Sequence, residues 1–187
     1  MPVVGMWALL VAGLAVSLLA ILAIVGSALP RTHVITRRLT VSKPPGHVWV
    51  VIADLGGQLT WRSSLQGVSK VSDPGGRDSE VGEIWREVAR RRPIDLKTVE
   101  ATPPTARAPG RLVREVATEG LPFRGRWECE VGPAPGGLGS VVTLTERGEV
   151  ASPVFRAINR LLVGQAWGIE TYLRDLARRL GEPARPW

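Results

Sequence analysis

"SPVFRAINRLLVGQAWGIETYLRDLARRLGE" (Ser152–Glu182) decides the fold. Val154, Ile158, Leu161, Leu162, Ile169, Leu173, Leu176 and Leu180 recur at three- and four-residue spacing, which is the period of one helix face. Ser152 suits an N-cap, Pro153 a first helical position and Gly181 a stop. The pattern predicts one long helix over Pro153–Leu180, with Leu161, Leu162, Ile169, Leu173 and Leu176 mostly buried. A helix of this kind must lay its apolar face on a partner surface.

The partner is written immediately upstream. In "RWECEV" (Arg126–Val131), Trp127, Cys129 and Val131 share one face while Arg126, Glu128 and Glu130 share the other. That alternation marks a strand with one buried and one wet side, as antiparallel sheets have. "VSKVS", "VGEIWREVAR", "IDLKTVEATPP", "RLVREVATE" and "SVVTLTERGEV" complete a series of about six strands broken by turn signals such as "DPGG" and "PAPGGLGS". Before them, "HVITRRLTVS" reads as a strand and "KPPGHVWVVIADL" as a helix entered through Pro44 and Pro45. "DLGGQLTWRSSLQGV" (Asp54–Val68) then makes a glycine-rich break with a short helical turn.

The first thirty residues are a different material. "MPVVGMWALLVAGLAVSLLAILAIVGSALP" carries no charged side chain. Its apolar run, Val3–Leu29, exceeds the ~20 residues that span a bilayer as a helix. A secretory signal fits less well, because the start lacks Lys and Arg and the run is too long. Arg31, Arg37, Arg38 and Lys43 follow the run, and basic residues beside a span favour the cytoplasmic side. The expectation is a single-pass anchor over residues 1–30, a cytoplasmic domain over 31–182 and a loose tail over 183–187.

Lys+Arg total 24 against 17 Asp+Glu, a formal charge of +7. The basic residues are interleaved with acidic ones, and the densest run is only "ARRRP" (Ala89–Pro93). That argues against a nucleic-acid partner, which wants a longer basic stripe with aromatics, and favours an anionic bilayer surface. Arg31, Arg37 and Arg38 are the candidate headgroup contacts. The single cysteine, Cys129, permits no internal disulfide. With two histidines in the chain it offers no zinc-ligand spacing, so no metal and no cofactor are expected. His33 and His47 read as surface residues, and Cys129 as a small core hydrophobe.

The order strand, helix, short helix, strands and long helix resembles the START-like, or SRPBCC, superfamily. The resemblance is nearest to the branch of polyketide cyclase/dehydrase and lipid-transport proteins. It is carried by "PPGHVWVVIADL", "LTWRSSLQGVSKV", "VGEIWREV", "GLPFRGRWECEV", "GSVVTLTERGEV" and the C-terminal helix, and covers nearly all of His33–Glu182. It implies an α+β helix-grip fold: a curved antiparallel sheet wrapped around a long C-terminal helix, with a cavity between them. Here a single transmembrane helix precedes it. The resemblance implies function only broadly, since one fold hosts carriers, cyclases, hydrolases and regulators.

No catalytic motif is present: neither Gly-x-Ser-x-Gly nor a glycine-rich phosphate loop occurs. The expected function is non-enzymatic binding of a hydrophobic small molecule or lipid beside the membrane. The alternative is a polyketide cyclase/aromatase-like enzyme using the same cavity, which needs an inward, desolvated acid or base. Glu83, Glu87, Glu128 and Glu130 lie on strands, and alternation alone leaves open which one faces inward. Trp61, Trp85, Trp127 and Tyr172 are the candidate cavity residues, because indoles and a phenol combine apolar area with a polar tip. Trp61 is read either as a gate at the cavity mouth or as a plug of the core.

Overall fold

A computed structural model describes residues 2–72, 80–89, 92–158, 160 and 166–183. Helix α1 (Pro2–Ala28) leads into β1 (Thr32–Val41), α2 (Pro45–Ala53) and one 3-10 turn (Gly57–Thr60). Strands β2 (Gly67–Ser72), β3 (Ile84–Ala89), β4 (Arg92–Thr102), β5 (Gly110–Val116), β6 (Phe123–Pro133) and β7 (Ser140–Val150) follow. Helices α3 (Pro153–Ile158) and α4 (Trp167–Arg179) close the chain. The strands form one seven-stranded sheet in the order β1-β7-β6-β5-β4-β3-β2, with every pairing antiparallel. Register shifts in β2 and β4 add local bend. The result is a curved sheet wrapped on a C-terminal helix.

The core lies between the sheet's inner face and the helices α2 and α4. Leu112, Cys129 and Leu144 stand opposite one another on β5, β6 and β7 and are all buried. They form one cluster with Val48 and Ile52 of α2 and with Ile169, Leu173 and Leu176 of α4. Helix α4 ends where its stop residue requires. Gly181 takes a left-handed conformation (φ 72°), its N–H donates to the Arg178 carbonyl, and the Glu182 N–H donates to Ala177. This paired closure satisfies the last carbonyls of the helix.

The expected helix over Pro153–Leu180 is helical in its described first and last parts, α3 and α4. Leu161 and Leu162 lie outside the described residues, as does the "DPGG" turn. The two segments have different partners: α3 packs against α1, whereas α4 packs against β1 and β7. At the α1–α3 junction the Arg156 Nε donates to the Gly26 carbonyl at 2.9 Å. A Cβ at Gly26 would sit 1.8 Å from the Pro153 carbonyl oxygen. Only glycine allows the two helices so near.

Helix α1 contains the stretch Gly5–Ala28, long and apolar enough to cross a membrane. Its large side chains stand outward, with Leu9 77% and Leu14 73% exposed.

Candidate ligand cavity

Between the sheet and α4 lies a cavity of about 340 Å³. Leu96, Leu112, Cys129, Leu144 and Ile169 give it an apolar wall. Burial pushes the Cys129 thiol up to about 12, so it stays a neutral wall atom at ordinary pH and no nucleophile. Trp127 and Tyr172 also line the space. The most exposed parts of the lining are Trp167 and Gly168, the first residues of α4.

Polar groups enter from three elements. Arg62, just after the 3-10 turn, Glu87 on β3 and Arg114 on β5 all line the cavity. Arg62 Nη1 donates to Glu87 Oε2 at 2.8 Å, and Arg114 Nη1 donates to the other carboxylate oxygen. Arg114 and Glu87 are only 7% and 8% exposed. Burial by itself pushes the Glu87 carboxyl up. The charges of Arg62 and Arg114, with their hydrogen bonds, more than offset this and hold it below the ordinary carboxylate range. Arg62 is placed by Gln58, whose Oε1 accepts from it at 2.8 Å and whose Nε2 donates to the Ile52 carbonyl. The guanidinium lies 5.2 Å from the centre of the Tyr172 ring. Burial, first of all, raises the Tyr172 phenol well above its usual value, so it remains a protonated donor.

The register carries this row across the sheet. Arg114 pairs with Trp127, and Trp127 with Glu146 on β7. Trp127 Nε1 donates to Glu146 Oε2 at 3.1 Å, and His33 Nε2 lies 3.5 Å from Glu146 Oε1. His33 is therefore half-buried and faces inward beside the row rather than on the open surface, and its ring occupies the space a side chain at Gly148 would need. His47 is exposed.

Of the four aromatic residues put forward from the sequence, the fold brings Trp127 and Tyr172 to the cavity. Trp61 and Trp85 are not in its wall. Trp61 packs edge-on against Tyr172, with ring centres 5.3 Å apart, and is half-buried on the core. Its stretch is tied down at several points. Gly57 N–H donates to Asp54 Oδ1, and Ser63 donates through N and Oγ to Asp175 of α4 at 2.6 and 2.8 Å. Trp85 donates through Nε1 to Glu83 at 2.8 Å and carries Lys70 over its ring. Strand alternation does put Trp85 on the inner face of β3, but two residues from Glu87 and beside Gly56, where it packs on the core rather than in the cavity wall.

The candidate headgroup residues separate as well. Arg31 stands at the end of α1, exposed. Arg37 faces inward and bonds Glu170 of α4 at 3.2 Å, while Arg38 points to the opposite face of β1. At ~3.3 Å per residue they also lie about 20 Å along the strand from Arg31. Alternation within the strand puts Arg37 and Arg38 on opposite faces.

Arg62, Arg114 and Glu146 were not singled out from the sequence. The signal for Arg114 was present, because in "GRLVREV" it alternates with Leu112 on the apolar face. Arg62 had no such signal, as its position depends on a loop folding back onto the sheet.

A curved antiparallel sheet closed by a helix over an apolar cavity with a few convergent polar groups defines a helix-grip ligand-binding domain. The chain belongs to the polyketide cyclase/dehydrase and lipid transport family, whose model matches residues 32–181. Among curated proteins none matches the chain. Norcoclaurine synthase from Thalictrum flavum is similar in structure, with a TM-score of 0.60 at 13% identity over 86% of this chain and 92% of that one. A protein from Thermobifida fusca gives 0.57 at 18% identity, covering 79% and 93%. One from Nitrosospira multiformis gives 0.57 at 16%, covering 79% and 96%. At these identities the likeness is one of fold. Family and fold together support ligand binding as the general role of the domain.

Proposed function

We propose that residues 31–182 form a domain held at the membrane by residues 1–30, which binds a hydrophobic small molecule or lipid in the cavity under α4. The observation that carries this reading is where the cavity's exposed lining lies. Trp167 and Gly168 begin α4, the element that follows α3 in the described chain, and α3 packs on α1. Ala89 and Ile94 line it beside the β3–β4 turn, which the antiparallel register puts at the same end of the strands as the start of β1. An apolar ligand leaving a bilayer beside α1 would meet that end first. Phe155 of α3 and Trp167, 44% and 43% exposed, add apolar surface there. The basic residues after α1 support a cytoplasmic domain.

The inward polar cluster is what a cyclase-like enzyme would need. Glu87, however, is held ionised by two arginines, which makes it a weak base, and this favours binding over proton abstraction. The test is native mass spectrometry of the full chain released from nanodiscs, with organic extraction of what it carries. A stoichiometric apolar ligand is the expected result. A chain that carries nothing and takes up no added lipid would defeat the reading. Protease protection in sealed vesicles checks the topology, and digestion of the domain from outside intact cells would reverse it.

A further inference from the structure

We infer that the cavity selects an amphiphile with one anionic end group, and that Arg62 and Arg114 receive it. This inference rests on the apolar-ligand reading and names the ligand class. Both guanidiniums line the cavity, and a single carboxylate, Glu87, serves them both. A guanidinium has five N–H donors and no acceptor. Glu87 takes one bond from each arginine and Gln58 takes a second from Arg62. Arg62 Nε, Arg114 Nε and Arg114 Nη2 are buried without an acceptor. Buried cationic donors left unmade are unfavourable, and an oxyanion seated between the arginines relieves that.

The local balance is one positive charge in excess, two arginines against Glu87. The other carboxylate of the wall, Glu146, lies two strands from Arg114, about 10 Å by strand spacing. Trp127 stands between them, and Glu146 already accepts the indole N–H beside His33. It therefore does not neutralise the arginine end. The remaining wall is apolar: Leu96, Leu112, Cys129, Leu144 and Ile169. Such a site, charged at one end and oily along its length, matches a carboxylate or phosphate carried on a hydrocarbon body. The planar guanidinium fork suits either oxyanion.

The experiment uses the full chain in zwitterionic-lipid nanodiscs, with dodecanoate, dodecyl phosphate and dodecanol as probes, and reads ligand occupancy by native mass spectrometry. Both anions are expected to bind at least tenfold more tightly than the alcohol. Whichever anion leads tells a carboxylate ligand from a phosphate headgroup. Arg62→Gln should weaken the anions about tenfold and leave dodecanol unchanged. Glu87→Gln, which removes the competing carboxylate, should tighten them. A structural effect would move all the probes together, and that outcome overturns the inference. Equal binding of alcohol and anions overturns it too while the apolar cavity stands. Failure of all three probes to bind overturns both.

Discussion

Arginines converge on a glutamate in two places, on opposite faces of the same sheet. On the outer face Arg111, Arg126 and Arg147 all donate to Glu128, and Arg111 reaches on to Glu100 and Glu130. On the inner face Arg62 and Arg114 meet Glu87. The outer arginines are about a third to a half exposed, whereas Arg114 and Glu87 are buried. The same chemistry therefore has two meanings. Outside, water and salt screen the charges and each pair contributes little. Inside, the desolvated charges depend on each other, and breaking the balance is expensive. The outer cluster keeps a wet face wet. The inner one is a candidate for binding because its donors exceed its acceptors.

The comparison breaks most sharply at Arg114. Arg114→Met should destabilise the full chain by about 3 kcal/mol, the upper part of the range for losing a hydrogen bond to a charged group, since Glu87 then keeps only Arg62, measured by denaturant unfolding in detergent. The double variant Arg114→Met/Glu87→Gln should lose more than the single one, since it leaves the Arg62 guanidinium without its carboxylate. If the single and double variants are equally unstable, the inner cluster is not a mutually dependent pair. Trp61 covers this cluster through its edge contact with Tyr172. Trp61→Ala should lower stability by about 2 kcal/mol, less than for a fully buried aromatic because the ring is half-buried. A melt identical to wild type would restore Trp61 to the role of a free gate.

Acid sharpens the contrast further. The folded Glu87 carboxyl sits below its ordinary value of 4.5. Its contribution is therefore present above that pH and is lost as the pH falls through the lower folded value. Glu128 shifts the same way: burial pushes it up, and hydrogen bonds from Arg111 and Arg147 bring it down by more. Glu87→Gln should flatten the acid side of the stability profile even in high salt. Glu128→Gln should flatten it only at low salt, because the outer pairs are screened. The smallest effect is expected at Arg111: Arg111→Ala should change stability by less than about 1 kcal/mol and by nothing measurable in high salt. A large, salt-resistant loss there would erase the distinction between the two faces.

Much of the fold was legible because periodicity is local. Alternation in Arg126–Val131 and the three-four spacing at Ile169, Leu173 and Leu176 are properties of neighbouring residues, and burial follows from them. Gly181 announced the end of α4 for the same reason: a left-handed residue closing a helix needs only its own backbone. The apolar helix α1 was equally plain, since length and the absence of charge are sums over one segment. The partner of the first turns of the C-terminal stretch was not legible. That partner is α1, which lies more than a hundred residues away in sequence.

The candidate site stands at the other end of that scale. Trp127 and Tyr172 could be proposed because an inward aromatic is visible in a strand or helix pattern. The placing of Arg62 under Tyr172 required the Gln58 bridge and the Ser63–Asp175 tie between two distant elements. The facing of Arg114 toward Glu87 required β4 to lie between β5 and β3, and the sheet to curve until the two side chains met. Sequence by itself determined which faces are apolar, because a residue's face is set by its neighbours along the chain. Tertiary structure alone decided that two arginines share one buried glutamate, because charge balance inside a cavity is summed over residues that only folding brings together.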